Sequence, residues 1–202
     1  MIPMSPRSEE QYQDIRDSRK NQILDAALRV FAKRGLTAAK ITDISSEANL
    51  SHGLVHHYFK SKEEIFIEVT RQTIEKSSAA FAKIANLEGS PLEILKIITE
   101  RNILTIDAEE NALRWLFMIN LTISDVVPQE AKLLSAASYT PLNAITELIR
   151  KGQSLGEIAG GDPERLMIAY WAMIQGLILF RYNKELNPPM PEIDTVLRML
   201  KP

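Results

Sequence analysis

Cysteine is absent from the 202 residues. No disulfide, thiolate metal centre or cysteine nucleophile can be built, and nothing demands an oxidising compartment. Glycine is scarce, at 8 residues, and no glycine-rich phosphate loop is present. No run approaches the roughly 18 uncharged apolar residues that a bilayer span requires. The most apolar stretch, Trp115 to Ile123, is far shorter. The opening MIPMSPRSEEQYQ has no apolar segment behind its basic residue, so no signal peptide is expected. Period-two strand patterns, internal repeats and a spaced carboxylate pair with a plausible base are also missing. These absences predict a cytoplasmic, non-enzymatic protein with no cofactor, no bound metal and no membrane association.

Charge of one sign is lacking overall, the formal net charge being −2. Its distribution is uneven. Residues 1–62 hold 10 Lys/Arg against 7 Asp/Glu, and the remainder 14 against 19. Only the N-terminal third therefore carries the sign that a phosphate backbone attracts.

What is present begins with Thr42 to Lys62, TDISSEANLSHGLVHHYFKSK. Ile44 and Ala48 share one helical face. Asn49 tolerates a left-handed turn, Leu50 can point back into the core, and Ser51 can cap a second helix. On that helix Val55, Tyr58 and Phe59 fall on one side and Gly53, His56 and His57 on the other. A short polar face with a glycine suits close approach to a large polar partner, as in a helix-turn-helix on DNA. A surface hairpin without a partner has the same spacing.

Residues 1–8, with two prolines, read as disordered. A helix starts at Ser8 or only near Ser18 and ends at Gly35, behind Lys33 and Arg34. Ser61 caps a long helix that Glu88-Gly-Ser-Pro breaks. Ser90-Pro91 restarts the next, and others run from about 108 to 124 and from Pro128 to about Lys151. Gly152 to Gly161 reads as a loop. Asp162-Pro163 opens a markedly apolar helix, and Ile193 to Leu200 forms the last. The chain is predicted all-α, with about nine helices.

The segments RKNQILDAALRVFAKRG and DISSEANLSHGLVHHYFKSKEEIF resemble the N-terminal domain of the TetR (tetracycline-repressor) family of transcription regulators. The chain departs from the family pattern at Ala39, Ser45, Leu54 and His56. The resemblance implies a helix-turn-helix DNA-binding domain over 1–62 and an effector-binding and dimerisation domain over 63–202. It places Arg19, Thr42, Ser51, His52, Gly53, His56, His57, Tyr58 and Lys62 at or near DNA. His52 and His57 suit base edges, and Lys62, at a helix N-terminus, suits a phosphate. It further implies a homodimer on a palindromic double-stranded operator, joined through the two C-terminal helices.

The larger domain is rich in bulky side chains, which either fill a core or line a pocket for an apolar effector. Trp115, Met118, Tyr139 and Trp171, with the polar Asn120 and Gln175, are the ligand-binding candidates. The reading is a ligand-responsive regulator, most simply a repressor. The alternative is a helical small-molecule-binding or adaptor protein without DNA binding.

All three histidines lie in one short stretch, and imidazole changes charge across the near-neutral range. His52 and His56 also have an i, i+4 zinc spacing, but no third ligand is obvious. Affinity for duplex DNA is expected to rise as pH is lowered from about 8 to about 6 at fixed salt. A flat profile in a fluorescence-anisotropy titration would remove the histidines from the phosphate field.

Overall fold

A computed structural model describes residues 9–85, 87–104, 109–137, 140–182, 185 and 188–202. Residues 1–8, read above as disordered, lie outside the described residues. Among those described there are ten α-helices and a final 3-10 turn, with no strand. The all-α expectation holds.

The first helix, α1 (Glu9–Ala38), begins at the earlier of the two expected starts and is broken at Gly35. There φ is 68°, a left-handed value that glycine adopts without a Cβ penalty. The chain turns at this point into α2 (Ile41–Glu47) and α3 (His52–Tyr58). Next come α4 (Lys62–Ala85), α5 (Pro91–Leu104) and α6 (Glu109–Ile123). Within the span expected as one helix from Pro128 to Lys151, the described residues form α7 (Gln129–Ala137) and α8 (Thr140–Ser154). The chain closes with α9 (Pro163–Tyr182), α10 (Ile193–Leu197) and a 3-10 turn (Arg198–Leu200).

Two hydrophobic cores organise these helices. One gathers Ile23 and Phe31 of α1, Ile44, Val55, Phe59 and Phe66 with Leu113, Phe117 and Leu121 of α6. The other joins Leu95 and Ile98 of α5, Ile145 and Ile149 of α8, Tyr170 and Ile174 of α9, and Val196, Leu197 and Leu200. The periodicity of α6 explains how it serves both sides. Leu113, Phe117, Asn120 and Leu121 form one face, toward α1, whereas Asn111, Arg114, Trp115, Met118 and Thr122 form the other.

A close approach closes the second core. A Cβ on Gly152 would fall 2.6 Å from Ile158 Cγ1, so the turn after α8 can fold over that helix only above a glycine.

Tyr170 is fully buried, its hydroxyl 2.8 Å from Thr99 Oγ1. Thr99 Oγ1 itself donates to the Leu95 carbonyl at 2.7 Å, so the phenol must be the donor of the pair. Burial pushes its pKa up from 10.0 to about 12. The folded state therefore holds a proton that the unfolded chain releases above pH 10. Stability from this group is whole below about pH 10 and falls as pH rises toward 12, by about 2–3 kcal/mol. Denaturant titrations should show this loss in the parent and its absence in Tyr170→Phe, which itself costs about 1 kcal/mol at pH 7.

Candidate nucleic-acid interface and helical cavity

The helix-turn-helix is built by local bonds that its sequence permits. Asp43, in the first turn of α2, accepts the Lys40 amide at 3.0 Å and pairs with Arg34 at 3.1 Å. It thereby ties α2 to the end of α1's main segment. Ser45, where the family pattern has alanine, is buried and donates to the Thr42 carbonyl at 3.1 Å. At the end of α2 the Leu50 amide reaches Ser45 O at 2.9 Å and the Asn49 amide reaches Ser46 O at 3.1 Å. Asn49 has φ 52°. These are the paired bonds and left-handed residue of a Schellman turn, with asparagine in the glycine position. Ser51 Oγ then accepts the Leu54 amide at 3.2 Å, capping α3.

Val55 and Phe59 anchor this unit in the core, with Tyr58 half-buried beside them. The opposite face of α3 presents Ser51, His52, Gly53, His56 and His57, all exposed. The rings of His52 and His56 meet edge to face, with centroids 4.5 Å apart. Among the described residues no three metal-binding side chains converge. A Cβ added at Gly53 would meet nothing within 4 Å, so nothing inside the protein calls for glycine there.

Thr42 is exposed at the start of α2. Arg19 is exposed on α1, donating to Gln22 Oε1 at 2.7 Å, and Gln22 in turn donates to the Ala48 carbonyl at 2.8 Å. This relay holds the guanidinium beside the turn between α2 and α3.

Lys62 is placed differently from its expected phosphate role. Its ammonium donates to the carbonyls of Leu36 at 2.8 Å and Ala39 at 2.9 Å. Both carbonyls lie just past the break at Gly35, where helical partners run out. The first turn of α4 thus clamps the chain as it enters α2, and two of the three ammonium protons are used inward.

The second feature is a cavity of about 440 Å³ between α4, α5, α6, α7, α8 and α9. Of the ligand-binding candidates, Trp115, Met118, Trp171 and Gln175 line it. The two indole rings lie 5.3 Å apart, and Phe81 lies 6.2 Å from Trp171. Asn120 does not line it. It faces the other way, and its Nδ2 donates to the Ala32 carbonyl of α1 at 2.9 Å. A polar residue in an apolar helix needs a partner, and here α1 supplies one. Tyr139 lies outside the described residues.

Sequence reasoning missed Lys76 and Phe81 on α4, Arg101 and Asn102 on α5, and Arg114 on α6, all lining the cavity. The available signal was the i, i+3, i+4 run Asn111, Arg114, Trp115, Met118, a polar-aromatic stripe on a helix whose other side carries Leu113, Phe117 and Leu121. No comparable signal marks Arg101.

The outer face of α9 carries Ile168, Met173, Leu179 and Phe180, with Ile168 62% and Phe180 53% exposed. The final helix differs from expectation. Val196, Leu197 and Leu200 are buried within their own chain, and the outward Asp194, Thr195 and Arg198 are polar. Of the two C-terminal helices, only α9 offers a partner an apolar face.

A capped helix-turn-helix resting on a helical body with an internal cavity defines an all-helical fold class. The model of the tetR family of bacterial regulatory proteins matches residues 23–69, the segment that holds the helix-turn-helix. The repressor KstR2 of Mycolicibacterium smegmatis is 37% identical over 78 residues, 39% of this chain and 38% of that protein. The match thus spans less than two fifths of that relative. Two solved structures share the fold over nearly the whole chain. A Saccharomonospora viridis protein in complex with choline has TM-score 0.69 and 23% identity, covering 90% of this chain and 93% of its own. FadR of Bacillus subtilis in complex with stearoyl-CoA has TM-score 0.66 and 20% identity, covering 89% and 96%.

The clamp role of Lys62 is separable from DNA contact. Lys62→Met should lower the unfolding free energy by about 1.5–3 kcal/mol, as two charge-assisted bonds to chain carbonyls are lost. Unchanged stability with weakened DNA binding would return Lys62 to the phosphate backbone.

Proposed function

We propose that the protein is a DNA-binding transcription regulator, a repressor whose operator affinity falls when a small molecule fills the cavity. Residues 1–62 read DNA, and residues 63–202 bind the effector and dimerise. The observation that carries this reading is the outer face of α3. It is polar, exposed and centred on Gly53, which no internal contact requires. Glycine in a short helix costs about 0.5–1 kcal/mol relative to alanine. A backbone that must lie against a duplex in the major groove gives a reason to keep it.

In this reading His52, His56 and His57 face base edges, while Ser51, Thr42, Arg19 and the Tyr58 hydroxyl meet phosphate or sugar. Two copies joined through the outward face of α9 set their α3 helices roughly 34–36 Å apart, on successive major grooves. The apolar side chains of that face favour a second copy over solvent.

The effector occupies the cavity, with Trp115, Trp171, Met118 and Gln175 among its contacts. Neighbours of this fold hold molecules as different as choline and stearoyl-CoA, so the fold leaves the ligand class open. The cavity-facing side of α6 and the α1-facing side belong to one rigid element, and α4 likewise borders the cavity and begins at the Lys62 clamp. A ligand that prefers one arrangement of α4 and α6 biases the spacing of the α3 helices, by as much as its affinity differs between the two states. The protein acts by binding and not by catalysis.

In vitro selection of duplex DNA should enrich a pseudo-palindrome, bound with an affinity that falls steeply as salt rises. No enrichment with folded protein, with or without candidate effectors, would favour the adaptor alternative. Gly53→Ala gives a sharper check. It should raise thermal stability slightly yet weaken operator binding roughly tenfold or more. A variant that gains stability and keeps its affinity would remove α3 from the groove.

A further inference from the structure

Among the described residues the buried threonines are Thr70, Thr73, Thr99 and Thr146. Three of them satisfy their hydroxyls on their own helices. Thr70 donates to the Phe66 carbonyl at 2.9 Å, Thr99 to Leu95 at 2.7 Å and Thr146 to Leu142 at 3.0 Å. This is the back-bond to the residue four earlier that helical threonine can make. Thr73 of α4 is 6% exposed, yet its hydroxyl makes neither that bond nor another among the described residues. Nor is the oxygen sealed in, since the fully shielded, unpartnered side-chain atoms of the described residues belong to Asn102 and Glu157. Thr73 borders the cavity and the small crevice beside it, so its hydroxyl opens there.

Gln175 of α9 repeats the pattern. It is half-buried and lines the cavity, and its amide has no hydrogen bond among the described residues. Thr73, Ser77 and Phe81 stand four apart on α4 and all line the cavity. The Thr73 hydroxyl is therefore displaced roughly 12 Å along the helix from the Phe81 ring. Gln175 lies one turn, roughly 6 Å, beyond Trp171 on α9. Both offsets run toward the first core, where Phe66 and Val69 of α4 and Tyr182 of α9 pack. The cavity thus has a ring end, formed by Phe81, Trp115 and Trp171, and a neutral hydrogen-bonding end. Its cationic lining residues have solvent or protein groups to meet them. Lys76 and Arg101 are exposed. Arg114 donates to Asn111 Oδ1 at 3.3 Å, and Asp25 borders the crevice that Lys76 and Arg114 share.

From these observations we infer that the cavity takes an uncharged, elongated molecule, with a ring-bearing apolar body at one end and a hydroxyl or carbonyl oxygen at the other. The body lies against the three rings, and the oxygen meets Thr73 Oγ1 and the Gln175 amide. A hydroxyl and an amide each donate and accept, so they serve either kind of oxygen. A bare charge at that end would exchange its hydration for neutral partners alone. This deepens the effector reading above and rests on it. Thr73 also shares its crevice with Leu24 and Leu28 of α1, so the oxygen is held where α4 packs on the helix that leads into the helix-turn-helix.

The chain has two tryptophans, Trp115 and Trp171, and both line the cavity. Their fluorescence, excited at the red edge of indole absorption, reads occupancy by probes that are transparent there. Two matched sets serve: 6-phenylhexan-1-ol with 6-phenylhexanoate and 6-phenylhexylammonium, and the same head groups on 6-cyclohexylhexyl chains. In at least one set the alcohol should bind roughly fivefold or more tighter than either charged counterpart. Thr73→Val should weaken that alcohol about five- to tenfold and leave thermal stability unchanged or raised, since the lost hydroxyl bonds nothing in the protein. Thr73→Ser, which keeps a hydroxyl, should keep the affinity. 3-Phenylpropan-1-ol, too short to reach Thr73 from the rings, should not respond to Thr73→Val. Gln175→Met provides the same comparison from α9. A charged probe that binds as tightly as the alcohol in both sets, or an alcohol indifferent to both Thr73→Val and Gln175→Met, would overturn the assignment and leave a ligand-binding cavity standing. No response to any probe from protein folded by circular dichroism would overturn the effector reading itself.

Discussion

Three phenylalanines from three helices carry the contact on which the rest depends. Phe31 of α1 meets Phe66 of α4 with ring centroids 5.1 Å apart, and Phe66 meets Phe117 of α6 at the same spacing. All three are buried. Such pairs contribute packing and a geometric preference beyond area burial. They fix α1, α4 and α6 as one block, so the helices that wall the cavity also hold up the helix-turn-helix. Without that continuity the cavity walls and the helix-turn-helix would share no packed core.

Polar contacts refine the block at its weak points. α1 loses helical continuity at Gly35, which leaves carbonyls on both sides without helical donors. Asn120 from α6 satisfies Ala32 just before the break, and Lys62 from α4 satisfies Leu36 and Ala39 just after it. The sharp bend that aims α2 and α3 is thus held by donors from two of the helices that border the cavity, α6 and α4. A bend held by rigid neighbours ties the packing around the cavity to the position of the α3 helix.

Much of this fold was legible in the sequence because its signals are local. The Gly35 stop, the Asn49 turn, the Ser51 cap and the inward Val55 and Phe59 each follow from one residue type in one conformation. The same holds for the exposed His and Gly face of α3, which is only the complement of its buried face. What could not be read was which side chains converge from distant helices. Arg101 and Lys76 look like ordinary solvent-facing charges until α5 and α4 are brought to the same cavity.

Asn120 and Lys62 make that boundary concrete. Each is a polar side chain in a setting where a partner is demanded, and sequence reasoning assigned each an external one, an effector and a phosphate. The demand was real in both cases, but backbone carbonyls of the same chain meet it. A buried donor is evidence for a ligand only after the protein's own acceptors have been counted.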